Sequence, residues 1–525
     1  MSPEIERTMV KITIDDREIE AKEGTTVFHA AQDAGIPIPH FCYHPAFAPE
    51  GTCRMCLVEI EGMPKLELAC STQIREGMKI STQSERVRAA RMGVLEFLLA
   101  EHPLDCPICD QAGDCKLQDY YEEYGLYDSR FAETKDKHEK RVRLGKYLLH
   151  DQERCVLCRR CVRFLRDVTG TGEMGVFERG GHTEVNVYEE GQEVNNDYSG
   201  NLAQLCPVGA ITDTDFRFQT RSWFLEEGES VCPLCSRGCR IAIQSHRGFA
   251  RFRLPKRVYR VKAVNDPRIN GPWICDMGRY GYSYLDEGRA TRIMKKDGPA
   301  PGWPEATAWL SEKILRLKHR NRLERISVIL TSRLTNEELF LAKKIFKEDL
   351  SVGRIFFADP PSGEGDDLLL TPDRTPNRRG AQEIGWDPAP VDMEALNRET
   401  DLLLVFGPDF ESTHSLSDIL GCFAQIETSV LVTPFEGELN TQVDLLLPSA
   451  PVAEKAGSLT NTEGVVQSFR PALPALGKSR AEWLFLIDLG KALDLRFQYY
   501  SRFMSSEIVS QEMSREIPFF EKNGE

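Results

Sequence analysis

The stretch ERCVLCRRCVRF, residues 153–164, sets Cys155, Cys158 and Cys161 in a CxxCxxC order. Bacterial ferredoxins present three thiolates to a [4Fe–4S] cluster in this order and add a fourth cysteine three residues on, where this chain has Leu165. In two-cluster ferredoxins the cysteine before proline ligates the cluster whose other three ligands lie elsewhere, and SGNLAQLCPVGAITD, residues 199–213, offers Cys206 in that setting. The two stretches predict a ferredoxin-like [4Fe–4S] region over residues 151–225, held by Cys155, Cys158, Cys161 and Cys206. One cluster of a ferredoxin pair is kept and the other lost, and the remote CPVGA argues against zinc.

Toward the N-terminus, HPLDCPICDQAGDC, residues 102–115, offers His102, Cys106, Cys109 and Cys115. Three cysteines with one histidine are a common structural zinc site, so spacing leaves zinc and a [4Fe–4S] cluster both open, with Asp105 and Asp114 as weaker alternative ligands. If a cluster is held, exchanging a thiolate for a neutral imidazole removes a negative charge and raises the reduction potential. Earlier still, HFCYHPAFAPEGTCRMC, residues 40–56, and a later Cys70 leave ten, two and thirteen residues between Cys42, Cys53, Cys56 and Cys70. Four thiolates suit a [2Fe–2S] centre, with a longer first loop than in plant-type ferredoxins. Gly51 lets that loop turn, and zinc is again the competing reading.

The residues before this group indicate its scaffold. MVKITIDDREIEA, residues 9–21, predicts two short strands around an Asp15-Asp16 turn. TTVFHAAQDAG, residues 25–35, predicts a helix capped by Thr25 or Thr26 and stopped at Gly35. MCLVEIEG and residues 78–80 add strands, and SERVRAARMGVLEFLLAE is a helix delivering the chain to His102. We expect a β-grasp ferredoxin domain over 9–84 and a region holding the histidine and its three cysteines over 85–150. The charged stretch from Glu133 to Lys146 and the residues Glu226 to Glu229 read as surface connections.

Toward the C-terminus, VCPLCSRGC and GPWICDMG supply Cys232, Cys235, Cys239 and Cys275. This group is either a ribbon-like zinc site or a further [4Fe–4S] centre, in a region over 226–285. The latter is favoured because closely spaced clusters exchange electrons, whereas an isolated zinc does no redox work. Beyond residue 300, ISVILTS, RIFFADP, DLLLVFGP and SVLVTPF alternate with helical patterns such as NEELFLAKKIFKEDL, which predicts an α/β domain with a largely parallel sheet. Residues 361–400 read as a long loop or insertion.

Composition narrows the classes. The 525 residues exceed one hydrophobic core. A net charge of -15 argues against nucleic acid as the main partner, and no long apolar run indicates a signal peptide or a membrane span. Of 16 cysteines, Cys422 alone lies beyond residue 275, in SLSDILGCFAQIE, an amphipathic helix in which a cysteine acts as a small buried hydrophobe.

The order of the four groups, with HPLDCPICDQAGDC, RCVLCRRCVRF and SGNLAQLCPVGAITD, resembles the large iron–sulfur subunit of respiratory NADH:quinone oxidoreductase, complex I, over residues 9–285. The resemblance implies one [2Fe–2S] and three [4Fe–4S] clusters. Three of them relay electrons from an NADH-binding flavin subunit toward the quinone site, both on partner subunits, so no substrate is transformed on this chain. The fourth, at Cys232 to Cys275, resembles the cluster before the molybdopterin domain of formate dehydrogenases and sits off the main route. The resemblance also implies a location on the cytoplasmic side of the bacterial inner membrane, peripheral through the partner subunits.

VAEKAGSLTNTEGVVQSFRPAL, residues 452–473, resembles the molybdopterin-oxidoreductase family. The expected fold is therefore an α+β and α/β multidomain chain: a β-grasp ferredoxin domain, a middle cluster region, and a shortened molybdopterin-like scaffold over 286–525. That scaffold lacks a catalytic metal ligand, so no molybdopterin is expected.

Rival readings are an iron–sulfur subunit of an NAD-linked formate dehydrogenase or hydrogenase, which Leu165 opposes, and a multi-zinc interaction module. The basic stretch RFRLPKRVYRVK, residues 251–262, is the best support for the latter and also reads as a charged strand face or a contact with a partner subunit. A flavin or NADH site finds no GxGxxG between a strand and a helix.

Overall fold

Alternation shapes the first sheet. In β1 (Met9–Ile14) Val10, Ile12 and Ile14 are buried while Met9 and Lys11 face solvent. Asp15 and Asp16, both at positive φ, turn the chain into β2 (Arg17–Lys22) with Ile14 paired to Arg17. Thr26 then caps α1 (Val27–Asp33) by accepting from His29 N–H, and Gly35 at φ +70° stops it. β3 (Leu57–Ile60), β4 (Glu67–Leu68) and β5 (Lys79–Ser81) complete a sheet of order β2-β1-β5-β3-β4 with β1 and β5 parallel. This is the expected β-grasp arrangement, with the helix packed on the sheet through Val27, Phe28, Ala30 and Ala31.

The computed structural model describes residues 8–126, 128–189 and 191–523, and divides into a unit ending at Phe224 and another beginning at Leu225. After the first sheet, α2 (Glu85–Glu101) is capped by Ser84 and ends at His102, with Val87, Arg91 and Leu95 buried. α3 (Lys116–Tyr124) follows Cys115 directly. β6 (Val142–Arg143) and β7 (Leu148–His150) form a small sheet whose other edge is contributed from 61 residues further on. Next come α4 (Arg160–Asp167), the hairpin of β8 (Met174–Phe177) and β9 (Glu184–Val187), α5 (Asn201–Leu205) and β10 (Ile211–Asp213), which pairs with β7.

The charged stretch read as a connection is thus partly structural. It contains β6, and Lys135 within it donates to the Leu99 and His102 carbonyls at 2.8 and 2.7 Å.

The second unit opens with an antiparallel sheet of β11 (Leu225–Val231), β12 (Arg240–His246) and, after the short α6 (Phe249–Phe252), β13 (Val258–Ala263). Here the structure corrects the sequence reading: Glu226 to Glu229 lie inside β11, not in a connector. The acidic residues obscured the strand because β11 is wet over most of its length and buries only its ends. The basic stretch is likewise partly internal. Arg257, 2% exposed, is paired with Asp286 and Glu454, both at 2.7 Å.

α7 (Asp276–Tyr280) starts at Cys275. Beyond it, β14 (Met294–Lys295), α8 (Trp303–His319), β15 (Ile326–Leu330), α9 (Asn336–Ala342) and β16 (Arg354–Phe357) begin the α/β layer. α10 (Arg378–Ile384) and α11 (Met393–Glu399) lie within 361–400, so that stretch is a loop carrying two short helices. Their seven-residue length gave too little periodicity to read.

β17 (Leu402–Phe406), α12 (Phe410–Thr413), α13 (Leu416–Phe423), β18 (Thr428–Thr433) and β19 (Leu445–Pro448) finish a sheet of order β14-β19-β18-β17-β15-β16. Only β14 is antiparallel in it. β15, β17 and β18 are buried at every position, as parallel strands covered on both faces must be. β20 (Gly457–Thr460), β21 (Val466–Phe469) and α14 (Glu482–Ala492) complete the layer, and α14 places Phe485, Leu486 and Leu489 in the core. No helix among the described residues is long and apolar enough to cross a membrane.

Candidate metal centres

The loop between α1 and β3 carries Cys42, Cys53 and Cys56, and Cys70 follows β4. Cys42, Cys56 and Cys70 are buried and Cys53 half-buried. Gly51 takes φ +70°, the turn that its loop was expected to need. The Cys42 thiol hydrogen-bonds to Cys53, and Cys56 to Cys70. The Cys53 bond, assisted by Arg163, draws the Cys42 thiol down to about 5, while burial and their partners push Cys53 and Cys56 up. Phe41 N–H donates to the Cys53 Sγ at 3.4 Å.

The second group lines a cavity of about 400 Å³. His102, Cys106, Cys109 and Cys115 all reach it, among Leu95, Leu99, Leu117 and Phe131. Burial, with Arg154 and Lys135 nearby, holds His102 at about 4, so its imidazole is neutral and able to ligate. Burial raises Cys115 to about 11. Asp105, an alternative ligand on sequence grounds, is engaged by Lys140 at 2.7 Å and Arg154 at 2.8 Å. Asp114 is not among the residues lining the cavity.

The third group closes as its spacing required. Cys155, Cys158, Cys161 and Cys206 line one cavity with Val156, Val208 and Ile211, while Leu165 is fully buried in α4. Leu157 N–H donates to the Cys155 Sγ at 3.4 Å.

In the second unit, Cys232 follows β11, Cys275 caps α7 and accepts from Gly278 N–H at 3.4 Å, and Cys235 and Cys239 are buried beside them. Cys239 feels the charges of Cys232, Cys235 and Cys275. A Cβ on Gly278 would stand 3.4 and 3.7 Å from the Cys232 and Cys275 sulfurs, so glycine allows the helix to approach both thiols.

The four groups surround spaces instead of converging on points. Among the described residues, no three His, Cys, Asp or Glu side chains gather as a single-ion site. The donors nonetheless suit iron–sulfur chemistry: soft thiols and one neutral imidazole in buried, largely apolar pockets, with backbone N–H groups aimed at sulfur. His150, 1% exposed, lines the third cavity with neither ring nitrogen hydrogen-bonded among the described residues, as a wall facing a polar occupant would.

Several residues that join the sites escaped the sequence reading. Arg160 and Arg163, one turn apart on α4, donate to the Tyr43 and Cys42 carbonyls, and Arg163 also reaches the Ala48 carbonyl at 3.1 Å. Lys116 N–H donates to the Pro207 carbonyl at 3.1 Å, and a Cβ on Gly209 would overlap the Cys109 sulfur. The arginines stand inside the quoted motif, where their i, i+3 spacing was the available signal.

The parallel sheet reverses strand order between β15 and β17, and the crevice beyond those carboxyl ends is where open α/β sheets take ligands. Here polar side chains occupy it. Arg333 pairs with Asp409 at 2.7 Å and donates to the Pro233 carbonyl, and Ser332 donates to Asp359 at 2.7 Å. Cys422 is fully buried in α13 among Ile419 and Phe423, as its helical pattern predicted.

Family profiles match in the same order: a 2Fe-2S iron-sulfur cluster binding domain over 7–85, an NADH-ubiquinone oxidoreductase-G iron-sulfur binding region over 91–130, an NADH-quinone oxidoreductase subunit 3 ferredoxin-like domain over 145–212, and molybdopterin oxidoreductase over 388–492. Fold and site together define an iron–sulfur oxidoreductase subunit with both 2Fe-2S and 4Fe-4S binding domains. Within that class, the chain is a relative of the iron–sulfur subunits of NADH-quinone oxidoreductase that carry the designations G and 3. It is 39% identical to the G-type protein of Streptomyces coelicolor over 69% of this chain and 42% of that protein. It is 39% identical to the G-type protein of Rickettsia bellii over 65% and 48%, and 35% identical to subunit 3 of Thermus thermophilus over 65% and 46%. The match therefore spans less than half the length of these relatives. A solved NAD+-reducing [NiFe]-hydrogenase chain is 30% identical, with TM-score 0.37, over 40% of this chain and 90% of that one.

Proposed function

We propose that this chain is an electron-transfer subunit of an NADH:quinone oxidoreductase, accepting electrons from an NADH-oxidising flavin subunit and passing them toward quinone-proximal subunits. In this reading Cys42, Cys53, Cys56 and Cys70 hold a [2Fe–2S] cluster. His102 with Cys106, Cys109 and Cys115, the set Cys155, Cys158, Cys161 and Cys206, and the set Cys232, Cys235, Cys239 and Cys275 hold three [4Fe–4S] clusters. Bound clusters of this kind supply reversible one-electron chemistry.

The observation that carries the reading is one apolar cluster of side chains in the first unit. Cys42, Cys115 and Cys158 pack in it together with Phe41, Met55, Leu95 and Val208. One ligand from each of three groups thus sits in a shared dry core, where water has little to reorganise when charge moves. α4 holds the Cys42 loop to the third site through Arg160 and Arg163, and the Lys116–Pro207 bond holds the third site to the second. The second unit, its crevice occupied by Arg333 and Asp409, serves as scaffold with the fourth centre at its edge. We retain the five regions 9–84, 85–150, 151–225, 226–285 and 286–525 within the two units, and a membrane association made only through partner subunits, on the cytoplasmic side of the bacterial inner membrane.

Iron and sulfide analysis with low-temperature EPR of the reduced protein tests the ligand sets, and zinc in place of iron overturns them. In the assembled enzyme, Cys155→Ala is expected to abolish NADH-to-quinone transfer while the flavin is still reduced. Normal quinone reduction by that variant would falsify the relay.

A further inference from the structure

His150 ends β7, where its backbone pairs with Ile211 of β10 and with Val142 of β6. Its side chain faces the cavity lined by Cys155, Cys158, Cys161 and Cys206, alongside Val185, Val208 and Ala210. It is 1% exposed, and neither Nδ1 nor Nε2 has a hydrogen-bond partner among the described residues. Buried imidazoles are ordinarily paired, because a stranded ring N–H forfeits its hydration without return. Arg160 lines the same cavity, but its terminal nitrogens are committed to the Tyr43 and Leu205 carbonyls.

We propose that a ring N–H of His150 donates a hydrogen bond to sulfur of the [4Fe–4S] cluster held by Cys155, Cys158, Cys161 and Cys206. His150 is then a positioning residue that tunes this centre, and the inference rests on the ligand assignment above. A donor aimed at cluster sulfur favours the more negative, reduced state and raises the reduction potential. Sequence spacing could not have nominated it, since CxxCxxC motifs function without a preceding histidine.

The test uses the full chain purified with its iron. In protein carrying 15N-histidine, pulsed EPR of the reduced centre at Cys155 to Cys206 should show a weak nitrogen coupling that His150→Phe abolishes. At fixed pH, His150→Phe should shift the reduced-to-oxidised ratio at a given potential about tenfold toward oxidised, equivalent to ~59 mV for one electron. His150→Gln, whose amide can still donate, should recover part of the shift. An unchanged potential and no nitrogen coupling, with iron and sulfide content intact, overturns the proposed bond and leaves the ligand set standing. The wild-type measurement keeps the test valid if His150→Phe fails to fold. Zinc at this site, or a centre that survives Cys206→Ala unaltered, overturns the ligand set itself and the bond with it.

Discussion

Single residues set how near the centres lie, and Gly209 shows the tolerance most directly. It follows Cys206 by three positions, and a side chain there would occupy the space of the Cys109 sulfur, with Gln111 beside it. A methyl group cannot be absorbed without moving a ligand of the second group. Gly209→Ala should therefore cost about 1–3 kcal/mol, the range for overpacked sites. It should also deplete iron from the His102 to Cys115 centre while the [2Fe–2S] signal persists. Full iron content and an unaltered EPR signal from that centre would contradict the close approach. Leu165 teaches the complementary lesson: a ferredoxin ligand position has become core, and its fully buried side chain helps seat α4.

At the scale of elements, α4 links two sites that the chain separates by more than a hundred residues. Arg163 donates to the Cys42 and Ala48 carbonyls, pairs with Glu50 at 3.4 Å, and lies over the Phe47 ring at 5.0 Å. The long loop between Cys42 and Cys53 has no strand partners, so this guanidinium stands in for a sheet edge. Arg163→Met keeps the apolar stem but leaves the carbonyls and the carboxylate without their donor. A loss of about 1–3 kcal/mol is expected, as for buried acceptors deprived of a partner, with faster bleaching of the [2Fe–2S] absorbance by an iron chelator. Bleaching and urea midpoints equal to those of the wild type would count against α4 as the support of that loop.

Over the whole molecule, the second unit is stapled by charges buried beneath its sheet. Lys455, 3% exposed, pairs with Glu338 of α9 at 2.8 Å and Glu482 of α14 at 2.7 Å. Two carboxylates share one ammonium, so they diverge. Burial pushes Glu338 upward, but the charge and hydrogen bond of Lys455 outweigh it and hold that group below its ordinary value. Burial, reinforced by Glu338, lifts Glu482 from 4.5 to about 8.

A carboxyl raised in the folded state retains a proton that the unfolded chain releases, so its stabilisation is full below pH 4.5 and fades as pH climbs toward about 8. Glu338 has the opposite sign, and its contribution is lost only on the acid side. Urea unfolding of the second unit should thus give a lower midpoint at about pH 8 than at about pH 5, and Glu482→Gln should flatten the difference. A midpoint that rises across this window would overturn the assignment of the proton to Glu482.

The sequence by itself determined the four ligand groups, the β-grasp opening and the parallel sheet. Those features are local: cysteine spacing, a two-residue strand period and capping residues act within a few positions. Even the remote Cys206 was legible, because CPVGA carries its own signature. Other features were decided only by the tertiary structure: that Cys42, Cys115 and Cys158 share one core, that Gly209 abuts Cys109, and that His150 faces the cavity of the third group. So were the β11 strand hidden under Glu226 to Glu229 and the pairing of Lys455 with two glutamates. Such relations depend on how distant segments pack, and packing leaves no periodic trace in the residues that meet.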